Sequence, residues 1–249
     1  MMWLLDSSIS PWLLLLVGAM AILYSSVGHG GASGYLAAMA LFGLEPATMK
    51  PAALSMNIFV TSLVLWRLSR AGAFNWRLFL PFAMASVPMA FIGGAHTIHS
   101  SAYRILVGLA LLLAMWRLLW EGKDSERIQP PALWVALPVG AVLGLVSGLT
   151  GVGGGIFLSP LLLLFHWTNM RGCVAIAAAF ILLNSIAGLA GYASTATHWP
   201  AGIAVLVMTA MLGGMLGAEL GARRLAPRHL RKVLAVVLAV AGVKMIAMA

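Results

Sequence analysis

Apolar residues run in long stretches from one end of the chain to the other, broken only by short polar connections. Ten stretches can be marked, at 11–27, 31–44, 52–68, 76–95, 102–120, 132–150, 154–167, 172–192, 200–220 and 230–248. Eight approach the roughly 20 residues that a helix needs to cross a hydrocarbon core of about 30 Å. The other two, 31–44 and 154–167, would reach only about 22 Å at 1.5 Å per residue, so each either spans poorly or forms a re-entrant hairpin with its predecessor. In lipid every backbone polar group must be satisfied within the protein, and the alternating pattern of a membrane β-barrel is absent. The expected class is therefore all-α, a polytopic helical membrane protein of eight to ten spans.

Five stretches fall on each side of a polar connector, residues 121–131, which combines dense charge with Pro130 and Pro131. The predicted organisation is a first transmembrane repeat at 1–120, the connector at 121–131 and a second repeat at 132–249. A shift of 123 residues lays Gly28-His-Gly-Gly31 on Gly151-Val-Gly-Gly154, Phe42 on Phe165, and Thr61-Ser62 on Asn184-Ser185. Near the ends a shift of 127 does better, setting Tyr103-Arg104 on Leu230-Arg231 and Arg117 on Lys244.

Charge then orients the repeat. If the ten stretches alternate across the membrane, twelve of the fifteen Lys and Arg lie in the connections of one side, and only Lys50, Arg104 and Lys244 lie on the other. Four crossings per half would split them almost evenly. The positive-inside rule thus favours an odd number of crossings, which inverts the second repeat, puts the connector in the cytoplasm and predicts both termini in the periplasm of a bacterial inner membrane. This accounts for the net charge of +9 without nucleic acid. The remaining composition agrees: 62% of residues are hydrophobic and 8% charged, against about a quarter charged in soluble domains. The first ten residues carry Asp6 and no basic cluster, so the first apolar run is expected to stay in place. Tryptophans gather near segment ends, as in an interfacial aromatic belt.

Candidate chemistry sits where the backbone is least suited to lipid. Gly28-His-Gly-Gly-Ala-Ser-Gly34 and Thr150-Gly-Val-Gly-Gly-Gly155 break helices at matching points of the two halves. Such breaks are tolerated in membranes where they are buried in protein or line a cavity, and in secondary transporters they bracket the substrate. A new helix after each break would present uncovered N–H groups at the positive end of its dipole, which suits an anion. The bland alternative is that small residues simply let helices pack closely. Expected ligands are the backbone at Gly28, Gly30, Gly31, Gly151, Gly153, Gly154 and Gly155, with His29, Ser33, Asn57, Thr61, Asn184 and Ser185 as side chains. Ordinary interhelical hydrogen bonding is the competing reading for the last four, and capping of the new helix for Ser33.

Every carboxylate lies near a segment end or in the connector, which argues against a cation carrier. Glu219 and Arg223, four apart, suggest an ion pair, and Lys50 and Arg171 suggest interfacial anchors or, alternatively, attractors of anions. An intramembrane enzyme would need a nucleophile with a base, or a metal cluster. Cys173 and His198 have no evident partners and His96 with His99 lacks a third ligand, so no catalytic residue, metal or cofactor is expected. A scaffold subunit would have no use for paired glycine breaks. The expected partners are a small anion, the lipid bilayer and, as one option for assembly, a second copy of the chain.

Gly151-Val-Gly-Gly-Gly-Ile-Phe-Leu-Ser-Pro160 resembles the Gly-x-Gly-Gly-Gly motif of the TauE/SafE sulfite-exporter family. Leu212-Gly-Gly-Met-Leu-Gly-Ala-Glu-Leu-Gly221 is similar to its glycine-rich helix, and Arg70-Ala-Gly-Ala-Phe-Asn-Trp-Arg77 to its basic loop, with Asn75 in place of the usual acid. The resemblance covers nearly the whole chain. It implies a two-repeat permease for small anions, typically sulfite, sulfonates or other organic acids, moved outward. The first half departs from the pattern, with Ala32 in place of the third consecutive glycine and Ala37 in place of the proline.

Overall fold

The structure, a computed structural model, describes residues 9–26, 30–69, 74–119, 128–197, 199–222 and 228–249. These form ten helices: α1 Pro11–Ser26, α2 Ala32–Leu41, α3 Pro46–Ser69, α4 Trp76–Ala95, α5 Ser100–Leu119, α6 Leu133–Thr150, α7 Gly155–Leu164, α8 Met170–Thr195, α9 Ile203–Ala222 and α10 Arg228–Ala247. All ten apolar stretches become helices. Five, α3 to α6 and α8, contain described stretches long and apolar enough to cross a membrane. The helices α2 and α7 have ten residues each, about 15 Å, half a hydrocarbon core. The two short stretches therefore do not span. The connector at 121–127 lies outside the described residues.

One boundary moved appreciably. The apolar stretch at 52–68 suggested a start after Pro51, yet α3 begins at Pro46. Proline is tolerated in a first turn, where its missing N–H is not needed, and that turn carries Lys50 inward. Lys50 is 6% exposed. Its Nζ donates to the carbonyls of Gly93 at 3.0 Å, Gly94 at 2.8 Å and His96 at 2.9 Å, closing the C-terminal end of α4. Lys244 does the same for Leu41 at the end of α2 (2.7 Å), and Arg104 for Met248 at the end of α10 (2.5 Å). These are the three basic residues set apart by the charge count. Each satisfies carbonyls that a helix end leaves open, in the place where the helix dipole is negative. Lys50 is thus a buried cap rather than an interfacial anchor, whereas Arg171 is exposed.

The repeat is visible in the helix bounds. Moving α2 by 123 residues gives α7 at both ends, and moving α4 by 127 gives α9. Packing exchanges the halves: α4 lies on α6, and its counterpart α9 lies on α1. Both contacts run parallel and are made through glycine. A Cβ at Gly140, Gly144 or Gly148 of α6 would fall 2.5, 2.2 or 2.1 Å from the carbonyl oxygens of Phe82, Ser86 and Ala90. On α9, Gly213 and Gly217 stand in the same relation to Gly18 and Ile22, at 2.6 and 2.1 Å. These are small-residue ridges at four-residue spacing that let backbones touch, a main source of helix association in lipid. At the middle, α3 and α8 run antiparallel, Leu54 against Gly188 and Asn57 against Ser185. The outer pair α5 and α10 is antiparallel too, Arg104 reaching Met248 and Gly108 meeting Gly242 and Ile246. In both pairs a helix faces its own repeat counterpart.

Among the described residues six tryptophans are exposed as a belt requires, Trp12, Trp66, Trp76, Trp116, Trp134 and Trp199. Trp167 is buried instead, against Phe82 and Phe165. Glu219 meets Arg67 at 3.4 Å, and its expected partner Arg223 lies outside the described residues.

The tightest glycine contact on α6 gives a direct test. Gly144→Leu, whose side chain would enter the backbone of α4, is expected to cost more than the roughly 1–3 kcal/mol of ordinary overpacking. Thermal unfolding in detergent should show a large loss of stability or no folded protein. A change confined to the exposed Met84 on the same helix pair, Met84→Leu, should leave the melting temperature within about 2 °C.

Candidate functional site

Both short helices begin from a left-handed glycine that offers no side-chain cap. Gly31 precedes α2 with φ 75°, and Gly154 precedes α7 with φ 79°. Only glycine adopts this region without strain, and the space is closed as well. A Cβ at Gly31 would lie 2.7 Å from the Tyr35 ring, and one at Gly154 would lie 2.7 Å from Phe180. Neither helix start is capped by its N-cap side chain, and the first N–H groups of a helix have no intrahelical carbonyl to reach; in α7 the Phe157 N–H turns back to the Gly154 carbonyl at 3.1 Å. Between α6 and α7 the chain turns through three left-handed glycines, Gly151, Gly153 and Gly154.

The two breaks converge on one side chain, Ile181 of α8. A Cβ at Gly30 would fall 3.3 Å from Ile181 Cδ1, one at Gly153 2.7 Å from its Cγ2, and one at Gly155 2.6 Å from its Cγ1. Asn57, near the middle of α3, ties this region together. Its Nδ2 donates to the Gly151 carbonyl and to Ser185 Oγ, each at 3.3 Å. Thr61 lies one turn on and donates to the Asn57 carbonyl at 2.6 Å, and its methyl occupies the place a Cβ of Gly30 would need. Asn57, Thr61, Asn184 and Ser185 are all fully buried.

Gly30, Gly31, Asn57, Thr61, Gly151, Gly153, Gly154, Gly155 and Ser185 are therefore brought to one region by α3, α8 and the two breaks. Asn184 is the neighbour of Ser185 on α8. Ser33 is buried in the first turn of α2, as its second residue, where its Oγ shares a 2.9 Å hydrogen bond with the Tyr24 hydroxyl instead of capping the helix. Gly28 and His29 lie outside the described residues. Ser62, the sequence counterpart of Ser185, faces outward and donates to Ile58 of its own helix. The polar stripe is thus not symmetric.

Several buried polar atoms find no hydrogen-bond partner: Asn57 Oδ1, both side-chain polar atoms of Asn184, Ser147 Oγ and the Tyr35 hydroxyl. Leaving such a group unpaired costs about 1–3 kcal/mol. Ser147 stands against Gly154 and Tyr35 against Gly31. Sequence reading missed Tyr24, Tyr35, Ser147 and Ile181. One signal was available, since the 123-residue shift sets Tyr24 on Ser147, a polar residue in each helix just before its break. Among the described residues no group of three His, Cys, Asp or Glu could hold a metal. The chemistry on offer is polar and non-redox: amide, hydroxyl and backbone donors, with no carboxylate among them.

Comparison with known proteins agrees with this picture. A family model described as "Sulfite exporter TauE/SafE" matches residues 13–245. The chain is similar to a probable membrane transporter protein, y4hK, of Sinorhizobium fredii, with 34% identity over 91% of this chain and 94% of that one. It is similar to the probable membrane transporter protein MJ0441 of Methanocaldococcus jannaschii, with 26% identity over 94% of each chain. A more distant relative is the probable membrane transporter protein MamO of Magnetospirillum gryphiswaldense, with 25% identity over 74% of this chain and 36% of that one. No solved structure matches.

The unpaired atoms make opposite predictions for two substitutions. Asn184→Leu removes two unsatisfied buried groups and should hold or raise the melting temperature in detergent, while Gly154→Leu should lower it, through left-handed strain of about 1–2 kcal/mol and the clash with Phe180. Equal destabilisation by both would mean that Asn184 is satisfied in the ligand-free protein.

Proposed function

Because the chain belongs to the sulfite exporter TauE/SafE family, whose members resembling it here are membrane transporters, we propose that it is a permease for a small anion, a sulfur oxyanion or an organosulfonate. The observation that carries this reading is the convergence of two uncapped helix starts on Ile181, beside Asn57, Asn184 and Ser185. Backbone N–H groups at a helix start, with the dipole behind them, favour an anion. Amide and hydroxyl groups can then share its oxygens without any formal positive charge. That combination suits a substrate that must bind and leave again.

The site is opened in turn to the two faces of an inner membrane in which both termini are periplasmic. The antiparallel pairing of α3 with α8 and of α5 with α10 supports an inverted repeat, since each helix faces its counterpart running the opposite way. In such carriers the site sits at the repeat interface near the midplane and one bundle moves against the other. Close glycine contacts tie α4 to α6 and α9 to α1, so each moving body draws on both halves of the sequence. His29, in the first break, is the residue proposed to link the cycle to a proton.

Transport by membrane vesicles decides the matter. With sulfite, ethanesulfonate, acetate, lactate and potassium offered in turn, the sulfur anions are expected to move fastest. Asn57→Leu and Gly30→Leu should each lower that rate about tenfold or more, a loss of about 1.4 kcal/mol in the binding or transport step. Faster movement of carboxylates would reassign the substrate to another organic acid. Movement of potassium alone, or full transport in both Gly30→Leu and Gly154→Leu, would rule out the paired-break site.

A further inference from the structure

A second polar space lies away from the glycine breaks. Where α3 and α5 begin and α4, α6 and α8 end, a cavity of about 320 Å³ is lined by Lys50, His96, Thr97, Ser100, Tyr103 and Thr195 among others. The volume is at the lower end of small-ligand pockets, several times larger than a water needs. Its wall is mixed. Hydroxyls come from the threonines, Ser100 and Tyr103, and apolar surface comes from Ile98, Leu149 and the Tyr192 ring. Such a wall suits a ligand with a charged end and a short hydrocarbon end.

Its charge is positive. The Lys50 ammonium gives its three N–H groups to the end of α4, whose dipole carries about half a negative charge. The rest of the ammonium's charge meets no carboxylate among the described residues of the lining. Glu45, one residue before the lining, is exposed. The starts of α3 and α5 and the ends of α6 and α8, which also meet here, offset one another. A charge held in a partly enclosed wall of low dielectric acts over the whole space, because neither water nor salt screens it fully.

The cavity also borders the second glycine break. Leu149 and Lys50 belong to its wall. A Cβ on Gly151 would meet the Lys50 backbone at 3.0 Å, and the Gly151 carbonyl takes the amide of Asn57. One layer of side chain and backbone separates this cavity from the glycine breaks.

We propose that this cavity is a vestibular binding site for a small organic anion, a sulfonate or carboxylate with a short hydrocarbon tail, selected by the charge of Lys50 and held before it passes to the central site. The proposal rests on the anion-permease reading for its purpose, but its test does not require transport. Cys173, the natural cysteine, is 1% exposed, so a Thr97→Cys variant presents the reactive thiol inside the cavity and the parent protein serves as blank. That thiol is treated with 2-sulfonatoethyl methanethiosulfonate or with its cationic trimethylammonioethyl analogue. In either case thiolate attack forms a mixed disulfide and expels methanesulfinate.

Relative to free 2-mercaptoethanol, the anionic reagent is expected to be favoured about tenfold in the cavity. Lys50→Gln, which keeps amide donors for the α4 carbonyls and drops the charge, should bring the preference to within about threefold of the free thiol. Millimolar ethanesulfonate should slow the anionic reaction at Thr97→Cys and leave it unchanged at His99→Cys, an exposed position outside the lining. A preference equal to that of the free thiol, or one unchanged by Lys50→Gln, overturns the proposal. So does a lack of protection by ethanesulfonate, a measurement that keeps the natural lysine and stands even if Lys50→Gln fails to fold. Protection without vesicle transport would overturn the permease reading and leave the vestibule standing, whereas transport without protection would do the reverse.

Discussion

In a bilayer a backbone group with no partner has no water to turn to, and every distinctive feature of this protein answers that constraint. Two helices stop and restart within the protein, and each restart leaves donors open. At the other polarity, three helices end in open carbonyls on one face, and Lys50, Lys244 and Arg104 each cross to close one of them. Those residues are the exceptions in an otherwise one-sided distribution of basic charge. Each is fixed to backbone oxygen at a helix end, and Arg67, which the charge count groups with the other basic residues, likewise donates to the Ala218 carbonyl.

The donor ends are treated differently from the acceptor ends. No carboxylate or capping hydroxyl covers the first turn of α2 or α7, although Ser33 is close enough in sequence to be expected to cap α2. Its hydroxyl pairs with Tyr24 instead. The unpaired carbonyl oxygen of Asn57, the side-chain amide of Asn184 and the hydroxyl of Ser147 are costly when empty. Under the proposed function an anion would accept from the Asn184 amide nitrogen and the Ser147 hydroxyl, whereas Asn57 Oδ1, an acceptor, would need a donor. The halves do not contribute equally. Ser185 joins the central amide network, whereas its counterpart Ser62 turns outward.

Much of this was legible in the sequence because it depended on spacing. Ten apolar stretches gave ten helices, and a 123-residue shift located both glycine breaks to the residue. Asn57, Thr61 and Ser185 stood out as polar residues in apolar surroundings, and they do meet. What was not legible depended on which helix faces which. Lys50 reads as an end-of-segment cation until α4 is seen to finish beside it. Ile181 is one more aliphatic residue until both breaks close on it. Tyr35 and Ser147 sit inside ordinary helical runs, and only the fold shows that their hydroxyls have no partner. Trp167 kept the position of an interfacial residue and was buried by Phe82 all the same.

The exchange of helices between halves bears on how the protein comes to exist in the membrane. Gly18 of α1 is covered by Gly213 of α9, a residue synthesised nearly two hundred positions later. Through most of translation α1 therefore has lipid, or an insertion factor, where its permanent neighbour will be. The α4–α6 contact closes much earlier, as soon as the second half begins to emerge. Partners become available in the order of the chain, that of α4 first, that of α1 later and that of α5, in α10, last, and the first half made alone would leave the glycine-fitted faces of α1 and α4 without their partners.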